Sequence, residues 1–365
     1  MSTSNRLRLF HRTAKAAALA TMISAPALHA ASGTWNLDNN GSWGAGTSWT
    51  GGISGNIDDV AAFMNNISAA RTVTLDGSRT IGTLQIGDAD STAAFTPRAV
   101  PTGGGITFDV SGGNAPLNFS SGLAIANTIT VPLILNDNLR IAITGASTAA
   151  QIINGPISGA QSVTLDASGQ AALNALGQVT FNGNITVQQA GAALTTRFNT
   201  HTTGTIVNVI NGVVSGNANV EFTKSDAAGT STWVLGNNAN YTGTTLIGLN
   251  AGGTGASVLQ LGNGGATGSL LESSAVTIAS GSVLGFNRSN AYTFTNTVSG
   301  AGGVTNSGVG TITWDNGTSG YTGPTVVSGA NDAARLVFGS GGGYTFSGAA
   351  AAVTLSNGAD LEFKT

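Results

Sequence analysis

The chain has 365 residues, 41% of them hydrophobic but only 8% charged, against about 25% charged in an ordinary globular domain. It holds 54 Gly, 7 Pro and no Cys, which excludes collagen (there is no Gly-X-Y period), disulfide staples, thiolate chemistry and Cys-based metal centres. The net charge is −3, and without Arg6, Arg8, Arg12 and Lys15 near the N-terminus nine basic residues face 16 acidic ones, so no basic stripe exists and no nucleic-acid partner is expected.

Residues 1–30 read as a signal peptide. The four basic residues form its positive region, and Ala16 to Ile23 is an apolar core far short of the roughly 20 residues a spanning helix needs. The segment ends Ala25-Pro26-Ala27-Leu28-His29-Ala30, with cleavage expected after Ala30. Export to the extracellular space or the outer-membrane surface follows as an expectation, with no transmembrane helix later in the chain.

Residues 31–90 form an N-terminal cap and the first strands. Trp35, Trp43 and Trp49 stand among Gly, Ser, Asn and Thr. They are expected to plug the end of a β-stack, where exposed core must be covered; the alternative is a stacking platform for sugar rings, as in a carbohydrate-binding module. Asp58-Asp59, before Val60-Ala61-Ala62-Phe63, is read as a solvated turn, with a metal or acid pair as the alternative. Thr72-Val73-Thr74-Leu75-Asp76-Gly77 and Thr80-Ile81-Gly82-Thr83-Leu84-Gln85-Ile86-Gly87 alternate small polar with apolar residues and stop at Gly, as short strands ending in turns do.

Residues 91–365 continue the pattern as repeats. Ile106–Val110, Ile129–Val131, Arg140–Ile143, Val163–Leu165, Gln178–Phe181, Ile185–Val187, Ala275–Ile278 and Ala352–Leu355 are all brief strands separated by turn residues. A longer period overlies them. Ile157-Ser158-Gly159, Val214-Ser215-Gly216 and Val298-Ser299-Gly300 open three similar cycles, which reach Phe181-Asn182-Gly183, Tyr241-Thr242-Gly243 and Tyr321-Thr322-Gly323. Trp233 and Trp314 precede the two Tyr residues. Unequal cycles suit a solenoid, which takes insertions in loops.

Strands this short cannot bury an apolar face alone. Stacked in parallel at about 4.8 Å, each pairs with its copy above and below, with Val, Ile and Leu pointing inward and Thr, Ser and Asn outward. At 20 to 30 residues per turn the body would make roughly ten to thirteen turns, about 50 to 60 Å long. The competing all-β layout is a pair of antiparallel sandwiches.

The run Trp35, Trp49, Asp59-Val60-Ala61-Ala62-Phe63, Val73-Thr74-Leu75-Asp76-Gly77 and Ile81-Gly82-Thr83-Leu84, with the Tyr-Thr-Gly segments at 241 and 321, resembles bacterial autotransporter-associated β-strand repeat proteins. The resemblance implies a right-handed parallel β-helix of the passenger type. A complete autotransporter adds a C-terminal membrane β-barrel, whereas this chain stops at Leu361-Glu362-Phe363-Lys364-Thr365 inside the strand pattern. Two expectations stay open: a passenger-only protein, or a truncated reading frame.

Parallel β-helices also include polysaccharide lyases and hydrolases, which gather carboxylates on one face, often with calcium or a basic residue. Here Asp76, Asp137, Asp166, Asp315 and Asp332 are scattered singly, and Asp88 and Asp90 come nearest to a pair. His201, in Asn199-Thr200-His201-Thr202-Thr203, has no companion for zinc or Ser-His-Asp chemistry. The glycine runs at 103–105 and 341–343 lead into no Lys-Ser/Thr, so phosphate loops are rejected. The expectation is a non-enzymatic, exported structural or adhesion protein without catalytic residues, cofactor or metal. Its partners would be cell-surface polysaccharide or surface proteins met through loops. The alternatives are a polysaccharide-degrading enzyme whose carboxylates converge between turns, and a sugar-binding module built on the Trp cluster.

Overall fold

A computed structural model describes residues 32–364 apart from 91, 100–103, 121–124, 145–149, 160–161, 167–178, 188–194, 202–203, 226–228, 250–254, 273, 316–319, 330–332 and 340–351. The signal-peptide segment, its cleavage position, Asp332 and the glycine run at 341–343 lie outside the described residues.

Short strands, each apolar on alternate residues, leave the chain no way to bury that face except against its own earlier turns. The result is a parallel β-solenoid of about ten turns. Its first face is a 13-stranded sheet, parallel throughout except where Trp49–Thr50 folds back antiparallel on Ser32–Trp35. The second face begins as a three-stranded sheet ending at Phe95–Ala99. A hydrogen bond from Thr130 N to Pro97 O (2.9 Å) carries it into a ten-stranded sheet that runs to Val353–Leu355. The third face has six strands, from Arg79–Ile81 to Val214–Gly216, and later four, from Tyr292–Phe294 to Asp360–Phe363. Turn length varies, since register partners such as Ser299↔Gly320 and Val163↔Phe198 lie 21 and 35 residues apart along the chain.

One continuous apolar interior runs from Trp35 to Ala359. Strand after strand contributes alternate residues to it, as in Ala115–Ser120, where Ala115, Leu117 and Phe119 are buried. Phe198 and Phe222, register partners one turn apart, stack with ring centroids 5.3 Å apart. Some of the polar groups that enter this interior cap backbone donors: the side chains of Asn127 and Gln151 take up the backbone N–H groups of Phe95 and Asn127 at the inner edge of the second face. The expected outward Thr, Ser and Asn pattern holds on the third face, where Thr80, Thr107, Ser158, Thr186 and Ser215 line up, interrupted by Ile134. It fails on the second face. There Val207, Thr232, Val258 and Val283 are register partners on the outer surface, because β-branched side chains suit a pleated, half-covered surface as well as a core.

The repeat motifs have structural causes. Gly159, Gly216 and Gly300, which close the three Xaa-Ser-Gly openings, all sit at positive φ (126°, 120° and 105°), a region side chains other than glycine avoid. In Tyr241-Thr242-Gly243 and Tyr321-Thr322-Gly323 the ring is buried and its hydroxyl meets the hydroxyl of Thr245 (2.6 Å) or Thr325 (2.7 Å). The glycine between them turns the corner so tightly that a Cβ would collide with Ala218 or Gly302 one turn below. The third cycle is not equivalent. Phe181 lies on the second face, and its Asn182-Gly183 belongs to a different corner. There Asn211 donates to Asn182 and Asn182 to Asn154, both at 2.8 Å, as an amide ladder along the rod.

Candidate functional site

The residues singled out in the sequence are placed as follows. Trp35, Trp43 and Trp49 are 0%, 0% and 6% exposed, packed around Phe63 at interplanar angles of 51° to 69° with centroid separations of 5.1 to 5.8 Å. They close the interior and offer no platform to a sugar. Asp59 is buried, contrary to the solvated turn expected, and accepts the backbone N–H groups of Gly55 and Asn56, both at 2.8 Å. Asp58, at φ 64°, accepts from Ser111 N. Burial raises the Asp88 pKa, but hydrogen bonds donated by Ile67, Ala93 and Thr92, with Asp90 beside it, outweigh that and hold the carboxyl below its ordinary value. Burial likewise opposes, and bonds from Ser42 and Gly44 with the charge of Arg79 favour, a lowered pKa at Asp76. Asp137 accepts from Val110 N. These carboxylates are occupied in holding turns. His201 ends the strand Thr195–His201, in backbone register with Asp166 one turn below. Among the described residues no group of three or more His, Asp or Glu could hold a metal ion.

A concavity lies elsewhere, on the third face, where its sheet is interrupted. Above Val214–Gly216 the segment around Tyr241 still bonds in register, through Asn240 N to Val214 O (2.9 Å) and Thr242 N to Gly216 O (3.0 Å). The next turn adds only a single bridge, Asn238↔Ser269. Regular pairing resumes with Tyr292–Phe294, which is the edge strand of the four-stranded sheet. Between these levels opens a groove of about 460 Å³, lined by Ala239, Ser269, Leu270, Leu271, Glu272, Tyr292 and Thr293.

Two buried polar side chains fix its walls. Arg288 is 5% exposed; its guanidinium donates to the carbonyls of Gly268 and Ala266 and lies 4.2 Å from the Tyr292 ring centroid. Burial pulls its pKa down, with Tyr292 opposing. Asn296, 1% exposed, donates through Nδ2 to Leu271 O (2.6 Å) and Ser274 O (2.7 Å). It thereby pins the turn Leu271–Ser274, closed by Ser274 N to Leu271 O (3.0 Å), that presents Glu272. Ser274 in turn reaches Gly243 O (2.7 Å) and the Thr245 hydroxyl, tying the groove to the Tyr241 corner below. Tyr292 lines the gap together with Ser269. Burial above all, with the Glu272 charge, raises its pKa, against the opposing effects of Arg288 and Ser269.

None of the groove residues stood out in the sequence. One signal was present: Tyr292-Thr293 begins like the Tyr-Thr-Gly segments but continues with Phe294, so no corner follows and the strand runs on. The groove offers an exposed carboxylate, three hydroxyls and a leucine floor, an amphipathic set suited to binding. No family model, no curated protein and no solved structure matches the chain.

Proposed function

We propose that this chain is an exported, non-enzymatic β-solenoid of the autotransporter-passenger kind, acting as a structural or adhesion element at the outer-membrane surface or outside the cell. The observation that carries the reading is the unbroken, side-chain-filled interior from Trp35 to Ala359. Such an interior makes a stiff rod able to carry loops at fixed intervals, so weak polar contacts along it add up by multivalency. The basic, apolar and small-residue order of positions 1–30 supports export. The sparse charge of the rod favours neutral polar partners, cell-surface polysaccharide before proteins. No helix among the described residues is long and apolar enough to cross a membrane.

The test has two arms. Expression of the full chain in a Gram-negative host, followed by fractionation and N-terminal sequencing, should yield a protein outside the cytoplasm beginning at Ala31. Pull-down of that product on whole cells and a polysaccharide panel, beside a lyase and hydrolase screen, should show binding without turnover. Cytoplasmic retention with an intact N-terminus, or depolymerisation of any polysaccharide, would refute the reading.

A further inference from the structure

We infer that the groove on the third face is a subsite for a neutral, hydroxyl-rich saccharide. The inference rests on the polysaccharide reading above and gives it a location.

Physical cost argues first that the groove is built. A solenoid left to itself stacks adjacent turns at about 4.8 Å and leaves no space between them. Here the turns carrying Ser269–Leu271 and Tyr292–Phe294 lack that ladder. What holds them is a buried guanidinium and a buried amide, each donating two hydrogen bonds to backbone carbonyls of one wall. Burying a charged group is unfavourable unless its donors are satisfied. Arg288 meets that condition only because the loop before Ser269 bends to offer Ala266 O and Gly268 O, with Asn290 at its Nε. The same loop is fixed from below by Asn238, which accepts from Gly268 N (3.0 Å), and by Thr267, whose hydroxyl donates to Gly236 O (2.6 Å). The walls are therefore preorganised before any ligand arrives, which reduces the entropy lost on binding.

Chemistry then selects the ligand class. Glu272 is exposed and is the charged side chain in the lining, a planar acceptor for adjacent hydroxyls. Ser269, Tyr292 and Thr293 offer hydroxyls that both donate and accept. Leu270, Leu271 and Ala239 supply the apolar surface on which the C–H face of a sugar ring can rest. An anionic chain would meet Glu272 with no compensating cation, since Arg288 is turned away to backbone carbonyls and the Tyr292 ring. A volume of about 460 Å³ is at the scale of small-ligand clefts.

The experiment is calorimetric titration of the secreted full chain with three neutral tetrasaccharides, cellotetraose, maltotetraose and N-acetylchitotetraose, beside the cationic de-N-acetylated chitotetraose. At least one neutral probe should bind the parent. Leu271→Trp, which fills the groove from a partly exposed position, should abolish that binding. Glu272→Gln, which keeps an acceptor but loses the charge, should weaken it about tenfold. Circular dichroism should show both variants folded. Ser299→Ala, on the first face, should bind like the parent. Binding of the cationic probe alone, no binding of any neutral probe, or unchanged affinity in both groove variants would overturn the inference. If the parent still captures whole cells while the groove variants behave identically to it, the adhesion reading stands and this location falls.

Discussion

The two Tyr-Thr-Gly segments have the same local structure in different places on the rod. Tyr241 stands above Val214–Gly216 on the third face, reached through Asn219–Lys224 on the first and Thr230–Leu235 on the second. Tyr321 stands above Val298–Gly300 on the first face, reached through Gly303–Asn306 on the second and Thr311–Trp314 on the third. In both, the Thr after the Tyr donates its N–H to the glycine carbonyl of its own Val-Ser-Gly one turn below, at 3.0 and 2.9 Å. The module has thus rotated by one face between copies while keeping its Tyr–Thr hydroxyl pair and its bond to the glycine below. What it requires is a matching opening directly beneath it. Which face supplies that opening is immaterial, because all three faces are parallel ladders with the same spacing.

The comparison can be broken most forcefully at the tryptophans. Trp233 packs on Phe198 (5.4 Å) and Phe222 (6.3 Å), and Trp314 on Phe294 (4.9 Å) and Tyr321 (5.7 Å), all fully interior. Trp233→Ala and Trp314→Ala should each cost about 3–5 kcal/mol in denaturant unfolding. A loss confined to one copy would show that the modules are not equivalent. Next come the corners. Gly243→Ala and Gly323→Ala force a Cβ against backbone of the turn below, and each should lose about 1–3 kcal/mol by the same measurement. A smaller change separates the copies. After Tyr241→Phe, the Thr245 hydroxyl keeps Ser274 at 3.2 Å, so the loss should be about 0.5 kcal/mol. Tyr321→Phe strands the buried Thr325 hydroxyl, which has no second partner among the described residues, and should cost about 1–2 kcal/mol.

Proton linkage gives two finer readings. Burial, opposed by the Thr325 bond, pushes the Tyr321 pKa up to about 12. Its contribution is therefore intact below the unfolded value of about 10 and is lost as pH rises from there through about 12. Melting temperatures should fall across that window, and less steeply in Tyr321→Phe. At the other end of the scale, the side-chain bond from Arg71, helped by Ser68, lowers the Asp38 pKa to about 2. The N-terminal cap keeps that contribution above about pH 4 and loses it as pH falls through about 2. Fluorescence of the clustered Trp35, Trp43 and Trp49 should report the change, and Asp38→Asn should remove it.

Much of this architecture was legible in the sequence, for a definite reason. Alternation of apolar and polar residues states which side chains face inward, and Gly at 216, 243, 300 and 323 marks where the chain must bend. Alternation carries no information about which face a strand occupies, so the rotation of the second module could not be read. It also misassigned Phe181, whose aromatic-Asn-Gly order imitates the Tyr motif at another corner. The groove was invisible for a different reason. Glu272 and Tyr292 are separated in sequence by a whole turn, and only stacking brings them together. Arg288 and Asn296, amid Ser, Asn and Thr, look like surface residues, yet they are buried braces.

The amide ladder of Asn154, Asn182 and Asn211 bears on chemical ageing. Asn-Gly sequences decay when the glycine nitrogen attacks the preceding side-chain carbonyl and ammonia leaves. At these corners the nitrogens of Gly155 and Gly212 are committed to Ile129 O and Phe181 O, while the carboxamides are held by one another. Attack would require both to let go together. A rod with three of the most perishable dipeptides along one edge is thereby shielded from deamidation.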